Sequence, residues 1–438
     1  MSISLDISDG TTTVTLSGTA PVLGCTYFPA TATLRDGAYQ PVTETAEVNL
    51  RGTAAAIRAT INSLETLLRK AAQRQATGAG DRVFVDYAPV SEAAYRSEVL
   101  DGRVVWTTEP GLRRLGDTNP TVRVAVIWTR APGWDGGENE LQISAAGHAA
   151  GTGGQPLLNN PGNGNWLQIA AAQIGGNLPA PMRLELTNNT GGSVTYYKLF
   201  LAVNANSDPA NLVHFLQAEA RTAGGTVTAD GSCSGGSKLA FTPSASPITF
   251  TWTLPAADLA RTKGRRARLL ARFAFCTGPT YVTPAIQNAA GVVVWTGDEV
   301  ALGALAGESW QDLGIVPLPP GGYAAGYGGM LLALTFRGAA VTELDVLQLT
   351  MLDSYRAFAI PSVAVANASI LVHDGIEGLA YGLTGAAKSP LATTFGGALL
   401  LEPGVINRIY VLYQTSTGAP IGGGFSAKVF YRARRLTV

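Results

Sequence analysis

The chain has 438 residues, with 31 Lys plus Arg against 31 Asp plus Glu, so its formal net charge is zero and only 14% of it is charged. A neutral chain lacks the basic footprint of a dedicated nucleic-acid binder, and no stretch approaches the ~18 consecutive apolar residues of a membrane-spanning helix. The cysteines, Cys25, Cys233 and Cys276, are too scattered for a disulfide framework or a CxxC metal site.

The opening Met1-Ser2-Ile3-Ser4 lacks a basic segment followed by an apolar one, so no secretory signal is read and a chain made in a cytoplasm is expected. Weak charge at this length implies a surface covered by Thr, Ser, Asn and Gln, or one partly buried against partners.

Ile3, Leu5 and Ile7 alternate with polar residues, Asp9-Gly10 follows, and Val14 and Leu16 alternate after it. This spacing predicts a hairpin with a tight turn. A strand fits Thr45–Leu50. Gly52-Thr53 then offers a cap for the one long helix, 53–75, whose Ile57, Ile61, Leu64 and Leu68 share a face. Glu65 and Arg69 are spaced to pair on it. Its Arg58, Arg69, Lys70 and Arg74 make a basic side, either solvated or a partner contact. A strand at Arg82–Tyr87 precedes a second predicted hairpin, Ser97–Trp106, turning at Asp101-Gly102. Val122–Trp128 reads as an apolar strand. Residues 1–135 therefore read as an α+β unit.

Beyond 138 no amphipathic helix is predicted. Short strands recur between turn signals, as in sandwiches and jelly rolls. Gly- and Asn-rich 147–165 and Gly- and Ser-rich 223–237 read as long loops. The expected fold is mainly β with one amphipathic helix, divided into 1–135, 136–355 and a C-terminal β region 356–438.

Reactive constellations are weak. Gly231-Ser-Cys233-Ser-Gly235 imitates a nucleophile elbow, but no apolar strand leads into it and no helix follows. His148, His214 and His373 form no metal-binding spacing. No catalytic residue, metal or cofactor is assigned. Arg266, Arg268 and Arg272 alternate with Ala267, Leu269, Ala271 and Phe273, which predicts a strand with a basic outer stripe. That stripe would suit an acidic partner or simply discourage edge pairing. The C-terminal strand ends in a basic tip, Arg432, Arg434 and Arg435. Trp134, Trp166, Trp295, Trp310 and Tyr323 read as exposed aromatics that could stack on sugars.

In order, these signals resemble the distal-tail, or baseplate hub, proteins of long-tailed bacteriophages, the siphophage type. The residues that carry the likeness are the hairpin at Asp9-Gly10, the strand Glu44–Leu50, the helix Thr53–Gln75, the strand Val83–Tyr87, the segment Tyr95–Trp106 and the strand Val122–Trp128. Asn177–Thr190 with Tyr197–Val203, and Glu343–Met351, are similar to jelly-roll, galectin-like domains of tail and carbohydrate-binding proteins. The resemblance implies a tail-tube-like first domain that closes into a ring, six-fold by analogy. It also implies a jelly-roll sandwich, and tail tube, tape-measure and tail-tip hub proteins as partners within a virion. A glycan-binding adhesin of the tail tip is the alternative, with host surface glycan as ligand. A depolymerase would need facing carboxylates that the chain does not display as a recognisable pair.

Overall fold

The computed structural model describes the chain except residues 1–2, 36–37, 91, 108–120, 146, 158–165, 195–197, 206–214, 245, 256–258, 260–264, 306, 320–328, 353–354, 360–364, 398 and 415–424. The protein is mainly β, with one α-helix among the described residues and several antiparallel sheets packed as sandwiches. It divides into two compact units. The first gathers 1–139, 175–179 and 432–438; the second holds 140–174 and 180–431.

In the first unit the strands are β1 Ser4–Ser8, β2 Thr13–Thr15, β3 Val22–Thr26, β4 Leu34–Arg35, β5 Ala38–Tyr39 and β6 Val42–Arg51. Helix α1 Ala54–Thr77 follows, then β7 Val83–Ala88, β8 Tyr95–Trp106, β9 Thr121–Arg130 and β10 Trp134–Glu140. The main sheet runs β2-β1-β7-β8-β9-β6-β3, all antiparallel. Strict alternation builds it: in β6 Val42, Glu44, Ala46, Val48 and Leu50 are buried, while Thr43, Thr45 and Glu47 face out. The first loop is longer than a two-residue turn. Asp9 Oδ1 accepts from the amides of Thr11 and Thr12, and Gly10 adopts φ +85°.

Helix α1 starts where Thr53 accepts from the Ala56 amide and stops at Gly78, which has φ 70°. Ile57, Ile61, Leu64, Leu67, Leu68 and Ala71 form its buried stripe, packed mainly on β8. Glu65 and Arg69 are both exposed, and no ion pair joins them.

Asp101-Gly102 does not turn the chain. β8 runs straight through it, pairing with β7 over 95–99 and with β9 over 99–106, with a bulge at Val99/Asp101. Gly102 is needed for close approach: a Cβ there would lie 2.7 Å from both Leu68 Cδ2 and the Ile127 carbonyl oxygen. The glycine lets the helix seat on the sheet.

A sealed polar cluster ties this unit together. Glu44 and Arg130 have side-chain exposures of 1% and 0% and meet at 2.8 Å. Glu44 also accepts from the Tyr27 hydroxyl at 2.6 Å and the Ala30 amide at 2.8 Å. Arg130 donates to the Ala30 carbonyl at 2.6 Å and lies 4.3 Å over the Trp134 ring. Tyr27 packs on Tyr87 and Trp128, with ring centroids 5.3 and 5.4 Å apart.

The second unit contains two sandwiches. In the first, one sheet runs His148–Gly151, Ile143–Ala145, Trp166–Ile169, Asn407–Gln414, Lys198–Ala205, Tyr355–Ala359 and Ala392–Gly396. Its facing sheet centres on Ala180–Asn188, flanked by residues of Phe425–Arg435 and by Ile370–Asp374. Leu184, Leu186, Leu199, Leu201 and Phe358 meet between the two. The Gly/Asn-rich 147–165 therefore contributes paired strand rather than loop alone, and 223–237 likewise contains the strand Thr226–Ala229. Residues 158–165 lie outside the described residues.

The second sandwich packs a sheet ordered Thr226–Ala229, Ser237–Phe241, Thr342–Met351, Arg266–Cys276 and Ser309–Pro317 on one ordered Ile248–Leu254, Met330–Gly338, Thr280–Asn288 and Val293–Thr296. Phe241, Phe250, Trp252, Phe273 and Phe336 fill its core. This whole sandwich is inserted between Lys198–Ala205 and Tyr355–Ala359, which pair directly. A division at 355/356 thus cuts a strand, and residues after it complete sheets begun by 143–205. A division at 135/136 cuts β10.

Substituting Gly102 with Ala should destabilise the first unit by about 1–3 kcal/mol through overpacking, read as a lowered urea midpoint. Glu44→Gln should cost about 3 kcal/mol or more, because it leaves the buried Arg130 charge uncompensated. The same unfolding curve checks it.

Candidate interaction site

The basic side of α1 is half neutralised. Arg58 and Arg69 stand in solvent. Lys70 donates to Asp9 at 2.5 Å, with Asp81 3.8 Å away. Arg74 lies 3.6 Å from Glu98 and donates to the Gly80 carbonyl. The hydrogen bond from Lys70, joined by the Thr11 and Thr12 amides, holds the Asp9 carboxyl down to about 2.

The expected basic stripe on Arg266–Cys276 is not a surface. Ala267, Leu269, Ala271 and Phe273 enter the sandwich core, and the opposite face is covered too. There Leu270, Trp310 and Val346 pack against Phe200, Tyr355, Tyr410 and Leu412 of the other sandwich. Arg272 is therefore buried, only 3% exposed, and its guanidinium binds Asp345 and Glu308. Arg268 is bound to Asp312 at 2.6 Å and lies 4.5 Å over the Phe395 ring. Arg266 is exposed. The physical reason is that both faces of this strand are interior, so its charges have to be paired in place.

The basic tip is also occupied. Arg434 lies 3.2 Å from Asp135, whose carboxyl burial pushes up. Arg435 donates to the Tyr95 hydroxyl at 3.1 Å, and Arg432 is half-buried.

Trp134 and Trp310 are corrected as sugar platforms, because their rings lie in the protein core, 0% and 2% exposed. Trp166 is half-buried with Arg408 4.1 Å over its ring. Tyr323 and His214 lie outside the described residues.

The Cys233 loop has a structural role. The Ser232 carbonyl lies 3.4 Å from Arg272, and the Ser234 amide donates to Asp345 at 2.7 Å. Cys233 is buried, and burial pushes its thiol up to about 12, so it carries no thiolate at neutral pH. His373 is buried and pushed down to about 3, first by burial and then by the Arg356 charge. Arg356 Nη1, which can only donate, lies 3.5 Å from Nδ1 of His373. His148 is exposed on a short strand.

What sequence reasoning missed lies in 23–39. Among the described residues strand β3 pairs only with β6 and so forms one edge of the main sheet. Leu23, Phe28 and Leu34 in and after it are 56%, 82% and 61% exposed. Phe28 sits between Tyr27 and Ala30, both bonded to Glu44. An aromatic beside Pro29, outside any strand periodicity, is the signal that could have found it.

No protein-family model matches the chain, and no curated protein matches it. Among solved structures, an arabinose-bound α-L-arabinofuranosidase is similar at 13% identity and TM-score 0.21, over 35% of this chain and 27% of that one. The enzymatically active domain of bacteriophage CBA120 tailspike protein 4 is similar at 15% identity and TM-score 0.19, over 34% of this chain and 19% of that one. The VP2 subviral particle of infectious bursal disease virus is similar at 9% identity and TM-score 0.17, over 68% and 78%. Likeness at these scores carries no argument about fold or activity.

Asp9 should contribute stability that is complete above its ordinary value of 3.8 and is lost as pH falls through about 2, since its folded-state value is the lower one. Asp9→Asn removes that contribution. The gap in urea midpoint between wild type and variant should therefore be widest above pH 4 and close toward pH 2.

Proposed function

We propose that this chain is a structural protein of the tail of a long-tailed bacteriophage, a distal-tail or baseplate component. Its first unit would assemble into a ring between tail tube and tail tip, with tape-measure and hub proteins as neighbours. The observation that carries the reading is the β3 edge. A sheet edge unpaired among the described residues and flanked by Leu23, Phe28 and Leu34, with Phe28 82% exposed, is costly in water and gains from a partner surface. Such an edge meeting a different surface of the next copy generates rings when the rotation closes. The work assigned to it is assembly, with no bond chemistry, and the resemblance of 1–135 to distal-tail proteins supplies the tail context.

Mass photometry of the purified chain should show a discrete multimer. Phe28→Asp should shift it to monomer while leaving the melting temperature within a degree or two, because the side chain is exposed. Immunogold labelling of phage particles should decorate the distal end of the tail. A wild-type monomer at all concentrations together with unlabelled particles would overturn the proposal.

A further inference from the structure

We propose that a cleft at one edge of the second sandwich is a saccharide-binding site. The cleft holds about 470 Å³ and is lined by Trp295–Asp298, at the end of the edge strand Val293–Thr296, and by Asp312–Ile315, within the edge strand Ser309–Pro317 of the facing sheet, together with Arg268. Its volume lies within the range of small-molecule sites.

The site is built rather than incidental. Arg268 pairs with Ile315 and Leu270 with Asp312, so Leu313 and Gly314 together oppose Leu269, which is a bulge. Gly314 takes φ +101° there, a conformation that suits glycine. The bulge fixes the Asp312 carboxylate, which accepts the Gly314 amide at 3.0 Å and Arg268 Nε at 2.7 and 2.8 Å. On the other wall the half-buried Trp295 ring is held against Gly297. A Cβ at Gly297 would lie 2.7 Å from Trp295 Cη2. Asp298 is exposed beside it.

The chemistry selects the ligand class. One aromatic ring, packed on the sandwich core and lining the cleft, offers apolar surface, and a fixed guanidinium–carboxylate pair offers donors and acceptors beside it. An apolar ligand would strip water from Arg268, Asp312 and Asp298 without replacing its hydrogen bonds. A phosphate or sulfate would meet two carboxylates and a guanidinium already engaged. A neutral, hydroxyl-rich ring satisfies all of these groups: its C–H face stacks on Trp295 and its hydroxyls bridge Asp312, Arg268 and Asp298. The site does not depend on the tail assignment, since the isolated chain suffices to test it.

The test is saturation-transfer NMR of the full chain with maltoheptaose, cellohexaose, xylohexaose and chitohexaose, each raised to about 10 mM, with inositol hexaphosphate as an anionic control. At least one oligosaccharide should bind with a millimolar or tighter constant. Trp295→Ala should weaken it about tenfold or more. The exposed Asp298→Asn variant, which leaves packing intact, should weaken it several-fold, with unchanged thermal melting. Absence of binding by all four sugars, equal binding by Trp295→Ala, or preferential binding of inositol hexaphosphate would each overturn the proposal.

Discussion

The first unit hangs on one buried ion pair. Glu44 on β6 and Arg130 at the end of β9 are out of water, and each is held by further hydrogen bonds. Taking two charges from water is costly unless geometry and remaining donors are matched. That requirement locks β6 against β9 and brings the segment 27–30 back onto the sheet, because Tyr27 and Ala30 supply the matching groups. Phe28, between them, is then presented outward on a stiff support. An interior electrostatic constraint thus shapes an exterior surface.

The same logic runs through the second unit. Arg272 sits among Asp345, Glu308 and the Ser232 carbonyl; Arg408 rests on Trp166 and donates to Gln168; Arg356 leans on His373 and Thr393. A chain with only 14% charged residues spends several of its arginines inside. Low charge is therefore not simply a surface kept neutral for partners. The interior polar groups fix which of several apolar sheet faces meet, since a mispaired face would strand a guanidinium.

Much of the fold was legible. The period of Ile57, Ile61, Leu64 and Leu68 marks α1 to within two residues at its far end, Ala54–Thr77 against 53–75. Alternation marks β6, β7 and the C-terminal strand. The misreadings share a cause: a local pattern does not say what lies on the other side of it. Asp101-Gly102 looks like a turn, but the glycine answers to Leu68 from the helix. Arg268 and Arg272 look solvated, but the face they share with Leu270 packs on another sandwich, and only Arg266 stays exposed among the three. Lys198–Ala205 and Tyr355–Ala359 pair across an entire inserted sandwich, and nothing local announces a partner that distant. The cleft at Trp295 was half legible: the ring was singled out, but the bulge that sets Asp312 against Arg268 has no sequence periodicity.

The first unit is not contiguous. Residues 432–438 return to it: Arg434 binds Asp135 and receives the Asn177 amide on its carbonyl, and Val438 packs on the core. A ribosome delivers residues 1–139 early but the closing segment only after the whole second unit. At about 5–20 residues per second, the nascent first unit waits many seconds with part of its core open. Completion of this unit thereby requires that the whole second unit has already been made. A chain broken off within the second unit would carry a first unit that cannot close, and would enter assembly at a disadvantage against intact copies.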